Sequence, residues 1–344
     1  MLTFEPRANE RLWIVYAADT SGSWLEPDGG LRSAGAGHWV ATTGGLSPAE
    51  AEALRALQAR LSEPDRHAVI RPARDGELPS GPAGAAVAAL EPLAGRVFGA
   101  AEAVLRGWEA ALRDPSRPAW FEPMRAALVR FMGADPDRTI AVHLLPCGAE
   151  ANGRLWSTFV GVGHRGLQCG GPAFRHDRLL EDLLHTAAHS AQPARLDPLL
   201  DAFLATPEGR DLDERFRSTP YGVRLREIPE IEDAGPRDLL WEYVVHALVY
   251  EGALREAGGL PAMDEYWRDV QETAHRVLDD PATPLPPGGH YAVWVLGGCA
   301  ALQPAAREYL RAGRPLDEAF VRRAVAVFDD LYDRWQRPVP ARTT

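Results

Sequence analysis

In the first third of the chain, the pattern of apolar and polar positions predicts two short strands and three helices. Residues 12–18 form an apolar run rich in aromatic and β-branched side chains, which predicts a strand, and residues 38–43 predict a second, weaker strand. Ser47 opens a capping box with Glu50, and the proline that follows Ser47 marks the start of a helix. The predicted helices span 48–61, 85–112 with a break at Pro92, and 120–132, and a Pro/Gly-rich loop spans 72–84.

The period of the apolar positions changes near residue 139. Residues 139–145 and 155–162 each show the pattern of a strand, and the proline, glycine and asparagine residues between them predict a β-hairpin. A helix is predicted from about residue 173 to residue 190. The remaining predicted helices span 196–205, 237–257, 262–279, 291–302 and 316–335.

This order of elements predicts an α+β fold that is predominantly helical. A β-hairpin precedes the helix of residues 173–190, and the C-terminal half is helical. We expect a mixed α/β part at 1–135 and a helical part at 136–344, either as two domains or as one continuous domain. Apolar residues make up 46% of the chain, which is enough for a substantial core.

The charge of the chain argues against several classes of function. A formal net charge of -11 and a pI near 5.4 argue against nucleic acid or an anionic membrane as the main partner. All 37 basic residues are arginine, which excludes a phosphate-binding lysine, a Schiff-base lysine and a lysine general base. The N-terminus lacks a signal-peptide pattern and the 3 cysteines are widely spaced, so we expect a reduced, cytoplasmic protein.

The most informative motif is His185-Thr186-Ala187-Ala188-His189, within the helix predicted at 173–190. Residues four apart lie one above the other on a helix, so both imidazoles can reach one metal ion. Glu181 continues the same line one turn earlier. Two histidines at this spacing also fit a solvated polar stripe at the margin of an amphipathic helix.

A second helix, predicted at 237–257, is apolar on nearly all of its faces. Glu242 and His246 are its strongly polar members, and they lie four residues apart on one face. A buried carboxylate is strongly disfavoured unless it takes a proton or finds a partner. A metal ion or the histidine pair of the other helix would serve as the partner of Glu242. A contact of Glu242 with His246 or with Arg237 would also satisfy the carboxylate.

These residues resemble the gluzincin-type zinc metallopeptidases. That family has a short edge strand or hairpin, then a helix with His-Glu-x-x-His, then a later helix that supplies a glutamate. The predicted hairpin at 139–162, the His185/His189 helix and Glu242 follow in that order. More specifically, LLHTAAHS and LLWEYVVHALV look like a bacterial group of predicted peptidases with His-Glu-Phe-x-His-Ser and a later Glu-Tyr. The resemblance covers roughly residues 139–255, and it implies a zincin-like core.

Carried over residue by residue, the resemblance implies that His185, His189 and Glu242 bind a zinc ion. Thr186 stands where the family has the glutamate that acts as general base, and a threonine hydroxyl cannot shuttle protons at neutral pH. His246 stands where many gluzincins have an aspartate that orients a ligating histidine.

Three functions fit these residues. The first is a zinc-binding protein of the peptidase type that is catalytically impaired and serves as a binding or scaffold protein for a peptide or protein in its cleft. The second is an active metal-dependent hydrolase with Glu181 as a relocated base, and His290 and Tyr291 are candidates to stabilise an oxyanion in it. The third is a metal-free helical protein in which the histidines and Glu242 form a hydrogen-bonded core network.

Overall fold

The computed structural model describes residues 3–28, 30–32, 36–63, 66–113, 118–133, 139–146, 159–162, 176–226, 235–249, 252–280 and 289–336. The chain divides into two compact units, and each unit is discontinuous in sequence. The sheet unit comprises residues 3–116 and 139–175. The helical unit comprises residues 117–138 and 176–344, together with residues 1–2.

The elements follow one another in chain order. They are β1 (Thr3–Ala8), α1 (Glu10–Asp19), α2 (Ser21–Trp24), α3 (Ala36–Thr42), α4 (Pro48–Leu61), α5 (His67–Arg74), α6 (Gly81–Arg113), α7 (Phe121–Met132), β2 (Thr139–Pro146), β3 (Phe159–Val162), α8 (His176–Leu204), α9 (Pro207–Ser218), α10 (Pro220–Arg226), α11 (Pro236–Leu248), α12 (Leu254–Ala257), α13 (Asp264–Asp279), α14 (Gly289–Tyr291), a π-helical turn (Ala292–Leu296), α15 (Gly297–Arg311) and α16 (Glu318–Gln336).

The sheet is small and parallel, with three strands among the described residues in the order β1-β2-β3. β2 pairs with β3 from His143 opposite Phe159, and the two strands run in the same direction. The predicted β-hairpin at 139–162 is therefore wrong. Turn-forming residues mark the end of a strand but do not set the direction of the next one. The connection at 147–158, which lies outside the described residues, is long enough for parallel pairing.

Two segments predicted as strands are helical. Residues 12–18 lie in α1 and are all buried, and an apolar run that is buried all round fits a helix as well as a strand. Asn9 favours the helix locally, because its side-chain oxygen accepts a hydrogen bond from the Leu12 amide at the N-terminus of α1. Most of 38–43 lies in α3. The pattern does not predict β1, in which charged residues flank Pro6.

Several helix boundaries also differ from the predictions. α6 runs unbroken through Pro92, so the predicted break is wrong, and its packing on α1 and α4 outweighs the lost backbone hydrogen bond. α8 is one helix where the pattern predicts two, at 173–190 and 196–205. The helix predicted at 237–257 is divided into α11 and α12. The predictions for α4, α7, α13 and α16 are confirmed to within a few residues.

α11 lies at the centre of the helical unit, packed against α8, α15 and α16. Most of its side chains are buried, as its apolar sequence predicts. Gly298 of α15 lies so close to the ring of Tyr243 on α11 that any Cβ there would overlap it. The described part of the chain is thus predominantly helical with one small sheet, which confirms the α+β class at that level.

None of the helices within the described ranges combines the length and the apolar character that a bilayer-spanning segment needs.

Candidate metal centre

His185 and His189 lie one turn apart on α8, and both side chains are half-buried. Between them, Ala187 and Ala188 are buried and fix this stretch of the helix in the core. The two Nε2 atoms are 2.9 Å apart and the ring centroids are 4.5 Å apart. The spacing of the motif therefore does bring both imidazoles to one point, as the sequence predicts.

α11 brings a third imidazole to the same point. The ring of His246 lies 4.8 Å from that of His185 and 6.5 Å from that of His189, measured between centroids. One ligand nitrogen from each of the three histidines lies within 4.8 Å of the other two. Three such nitrogens, held by two packed helices, are an arrangement that could hold a metal ion.

Two polar contacts fix α11 against α8. The indole Nε1 of Trp241 donates to Asp197 of α8 at 2.8 Å. Arg237 forms an ion pair with Asp201, also on α8, and its guanidinium lies 5.7 Å from the centroid of the Trp241 ring. Arg237 thus has a carboxylate partner on α8, and it is His246 that contacts Glu242.

Glu242 joins the centre through His246. Its carboxylate oxygen lies 2.7 Å from the Nε2 atom of His246, one turn further along α11. Glu242 does not belong to the set of mutually close ligand atoms, which the three imidazoles form among the described residues. The resemblance to gluzincins implies Glu242 as the metal ligand and His246 at an orienting position, whereas the structure places His246 close to both α8 histidines.

Tyr291 completes the described surroundings of the centre. Its hydroxyl lies 3.2 Å from His246 Nε2 and 3.5 Å from a Glu242 oxygen. It is the last residue of α14 and directly precedes the π-helical turn Ala292–Leu296. π-Helical turns are rare and occur often at functional sites.

The electrostatics of the centre favour an ionised Glu242. Burial raises the pKa of Glu242, but the hydrogen bond and charge of His246, the charge of His189 and the Tyr291 hydroxyl outweigh it, and the pKa lies below its usual value. Burial, with the charge of Glu242, raises the pKa of Tyr291 well above its usual range. Tyr291 is therefore a neutral hydrogen-bond donor beside a carboxylate.

Three further candidates from the sequence are His290, Glu181 and Thr186. His290 lies at the start of α14 beside Tyr291, and its Nδ1 atom is buried with no hydrogen-bond partner among the described residues. The backbone of α8 includes Glu181 and Thr186, but their side chains lie outside the described part of the structure. The predicted roles of Glu181 and Thr186 stay predictions.

The sequence did not predict that His246 lies beside His185 and His189. The signal was present, because a glutamate and a histidine four residues apart share one face of a helix. That spacing alone cannot determine which of the two lies nearer to another helix. The rotation and axial offset of α11 against α8 decide it, and they depend on long-range contacts such as Trp241 with Asp197.

Imidazole nitrogen suits zinc, copper, iron and nickel, and a tetrahedral site with three protein ligands keeps one position open.

No protein-family model, curated protein or solved structure matches this chain.

Proposed function

We propose that the protein binds a zinc ion through His185, His189 and His246. The observation that carries this proposal is the mutual approach of three ligand nitrogens to within 4.8 Å, on side chains from two helices that pack together. Neutral imidazole binds zinc at ~2.0–2.1 Å, so ligand nitrogens that lie this close to one another can share one ion. Zinc is favoured over other ions because it accepts all-nitrogen tetrahedral sites and needs no redox partner.

We further propose that the protein is a zinc-peptidase-like protein with an impaired catalytic site. Two helices that each bring a ligand to the same point, in the order seen in gluzincins, support this proposal. Thr186 follows the first histidine where the family has its general base, and loss of such a base removes ~10²–10⁴-fold in rate. The function is then the binding of a peptide or protein at the zinc centre, in the manner of a scaffold.

An active metal-dependent hydrolase is a second candidate, and one observation favours it. The carboxylate of Glu242 and the hydroxyl of Tyr291 lie beside the imidazoles, where a proton acceptor and an oxyanion donor would be required. Glu181 is the alternative base that the sequence offers. Wild-type hydrolysis of peptides that a chelator abolishes would establish this second function in place of the first.

A metal-free core network is the third candidate. His185 with His189, and His246 with Glu242, are each close enough to satisfy one another by hydrogen bonds. Because such a network needs no ion, direct measurement of metal binding separates it from the other two candidates.

The experiment is a calorimetric titration of tag-free apoprotein with Zn²⁺ at pH 7.5. We expect one zinc per chain for the wild type and for His275→Ala, which removes a half-buried histidine from α13. His246→Ala and His185→Ala should each weaken binding by at least about 100-fold, since each removes one ligand. Equal zinc affinity in His246→Ala and His275→Ala would refute a three-histidine site, and no zinc heat in the wild type would favour the metal-free network.

A further inference from the structure

The contact between Glu242 and His246 indicates which nitrogen of His246 would bind a metal ion. At 2.7 Å, the carboxylate oxygen lies at hydrogen-bonding distance from Nε2. An ionised carboxylate can only accept a hydrogen bond, so a hydrogen bond across this contact requires a proton on Nε2. A neutral imidazole has one N–H, and its other nitrogen then presents a lone pair.

We propose that Glu242 is a positioning residue that holds the proton on Nε2 of His246 and so presents Nδ1 as the metal ligand. This inference rests on the proposed zinc site. The set of mutually close ligand atoms includes His246 but not Glu242, so the carboxylate reaches the centre through the histidine. A carboxylate that accepts the second N–H of a ligating histidine fixes its tautomer and ring orientation and makes it a stronger ligand.

Tyr291 holds Glu242 in this role. Its hydroxyl donates toward the Glu242 oxygen at 3.5 Å and lies 3.2 Å from the same Nε2 atom of His246. The main chain at Glu242 is also held, because the Sγ atom of buried Cys299 donates to its carbonyl oxygen at 3.5 Å. The carboxylate of Glu242, the imidazole of His246 and the hydroxyl of Tyr291 therefore lie in mutual polar contact.

The competing arrangement has Glu242 bound directly to the metal, as the resemblance to gluzincins implies. In that case Nε2 of His246 would be free of a proton and would face the ion beside the carboxylate. The two arrangements differ in which nitrogen of His246 faces a bound metal and in whether Glu242 coordinates that metal.

The first test is the tautomer of His246 in the full-length, metal-free protein at pH 7.5, from ¹⁵N–¹H correlation of the imidazole nitrogens, assigned with His246→Ala. We expect the Nε2–H form in the wild type and in Glu242→Gln, whose amide oxygen can still accept this hydrogen bond. Glu242→Ala should shift His246 toward the Nδ1–H form. Glu308→Gln, an exposed carboxylate on α15, is the control and should leave the tautomer unchanged.

The second test is metal binding by the same variants. We expect Glu242→Ala to weaken Zn²⁺ affinity by about 10–100-fold, and Glu242→Gln to restore part of that loss. The visible spectrum of the Co²⁺-loaded protein should show the same coordination in the wild type and in Glu242→Gln. A change in coordination number in Glu242→Gln would show that Glu242 is itself a ligand and would overturn the inference.

The outcomes separate this inference from the proposed function. A wild type that binds one Zn²⁺ but carries the proton of His246 on Nδ1 overturns the inference and leaves the zinc site intact. A wild type with the Nε2–H tautomer that binds no Zn²⁺ overturns the proposed function, and the assignment of Nδ1 as a ligand with it.

Discussion

At the scale of single residues, Thr186 is the position on which hydrolytic activity depends in our proposal. We predict that Thr186→Glu gains weak, chelator-sensitive hydrolysis of unstructured peptides, whereas the wild type shows none above background. The substitution restores His-Glu-Ala-Ala-His without changing any of the three histidines, and glutamate is a better helix former than threonine. Cleavage of a fluorogenic peptide by the zinc-loaded proteins measures this gain.

Thr186→Gln is the matched control, because glutamine has the size of glutamate without a basic carboxylate. It should remain inactive. A folded, zinc-loaded Thr186→Glu protein that also remains inactive would show that more than the base has been lost. Wild-type activity that disappears in Glu181→Gln would show instead that the base has moved to Glu181 and would establish the hydrolase.

His143 of β2, in the sheet unit, makes the stability of the chain depend on pH. Burial, together with the charges of Arg7 and Arg74, lowers the pKa of His143 from 6.5 to about 4. Its Nδ1 atom lies 3.3 Å from the Asn9 side-chain nitrogen. Since the Asn9 oxygen accepts from the Leu12 amide, that nitrogen must donate, and Nδ1 of a neutral His143 accepts.

We predict that this histidine destabilises the fold below neutral pH. Between pH 6.5 and pH 4 the unfolded chain binds a proton at His143 that the folded chain does not, so the free energy of unfolding falls as pH falls. The free energy of unfolding falls by about 3 kcal/mol in full, since each pKa unit corresponds to ~1.4 kcal/mol. Urea unfolding of wild type and His143→Gln at pH 7.5 and pH 4.5 should show a smaller loss of stability in the variant. Equal losses would contradict this account.

At the level of secondary-structure elements, α15 packs closely against α11, the helix that carries His246. A Cβ at Gly298 would overlap the Tyr243 ring, which is fully buried on α11. We predict that Gly298→Ala lowers the free energy of unfolding by ~1–3 kcal/mol through overpacking. It should also weaken zinc binding, because it displaces the helix that carries His246.

Gly99→Ala is the matched control within α6. A Cβ there meets nothing within 4 Å, and alanine is favoured over glycine inside a helix by roughly 0.5–1 kcal/mol. This variant should be as stable as the wild type or more so, with unchanged zinc affinity. Chemical unfolding measures the stability of Gly298→Ala and Gly99→Ala, and zinc titration measures their affinity. A Gly298→Ala protein with wild-type stability and affinity would contradict the role of this contact.

Local signals predicted some elements well and failed for others. The capping box of Ser47 and Glu50 correctly located α4, because both of its hydrogen bonds form within four residues. The apolar run at 12–18 was assigned to a strand, because a helix buried on all sides has no periodicity to reveal it. The parallel pairing of β2 depends on contacts with β1, more than a hundred residues away, which no local pattern contains.

The candidate site, too, could be predicted only where local sequence determines it. His185 and His189 could be predicted as a pair, since the pitch of one helix alone brings them together. Whether Glu242 or His246 completes the set depends on how two helices pack, and Tyr291 reaches the centre from a third segment. Such convergence is a property of the folded helical unit.

At the scale of the whole molecule, the centre links α8 to α11, so metal binding should stabilise the helical unit. We predict that Zn²⁺ at 100 times its Kd raises the free energy of unfolding by about 2.7 kcal/mol, because the ion binds the folded state and not the unfolded one. Thermal unfolding with Zn²⁺ and with a chelator measures this difference. The increase should be absent in His246→Ala, and an equal increase in that variant would place the metal elsewhere.

Both proposals require that three imidazoles bind one zinc ion. X-ray absorption at the zinc edge of the zinc-loaded wild type can count these ligands, because imidazole rings give a characteristic multiple-scattering pattern whose intensity reports their number. We expect one zinc per chain with three imidazole nitrogens at ~2.0–2.1 Å and a water oxygen as the fourth ligand. Two imidazoles with a carboxylate would restore Glu242 as the third protein ligand, and a protein that retains no zinc would contradict the account altogether.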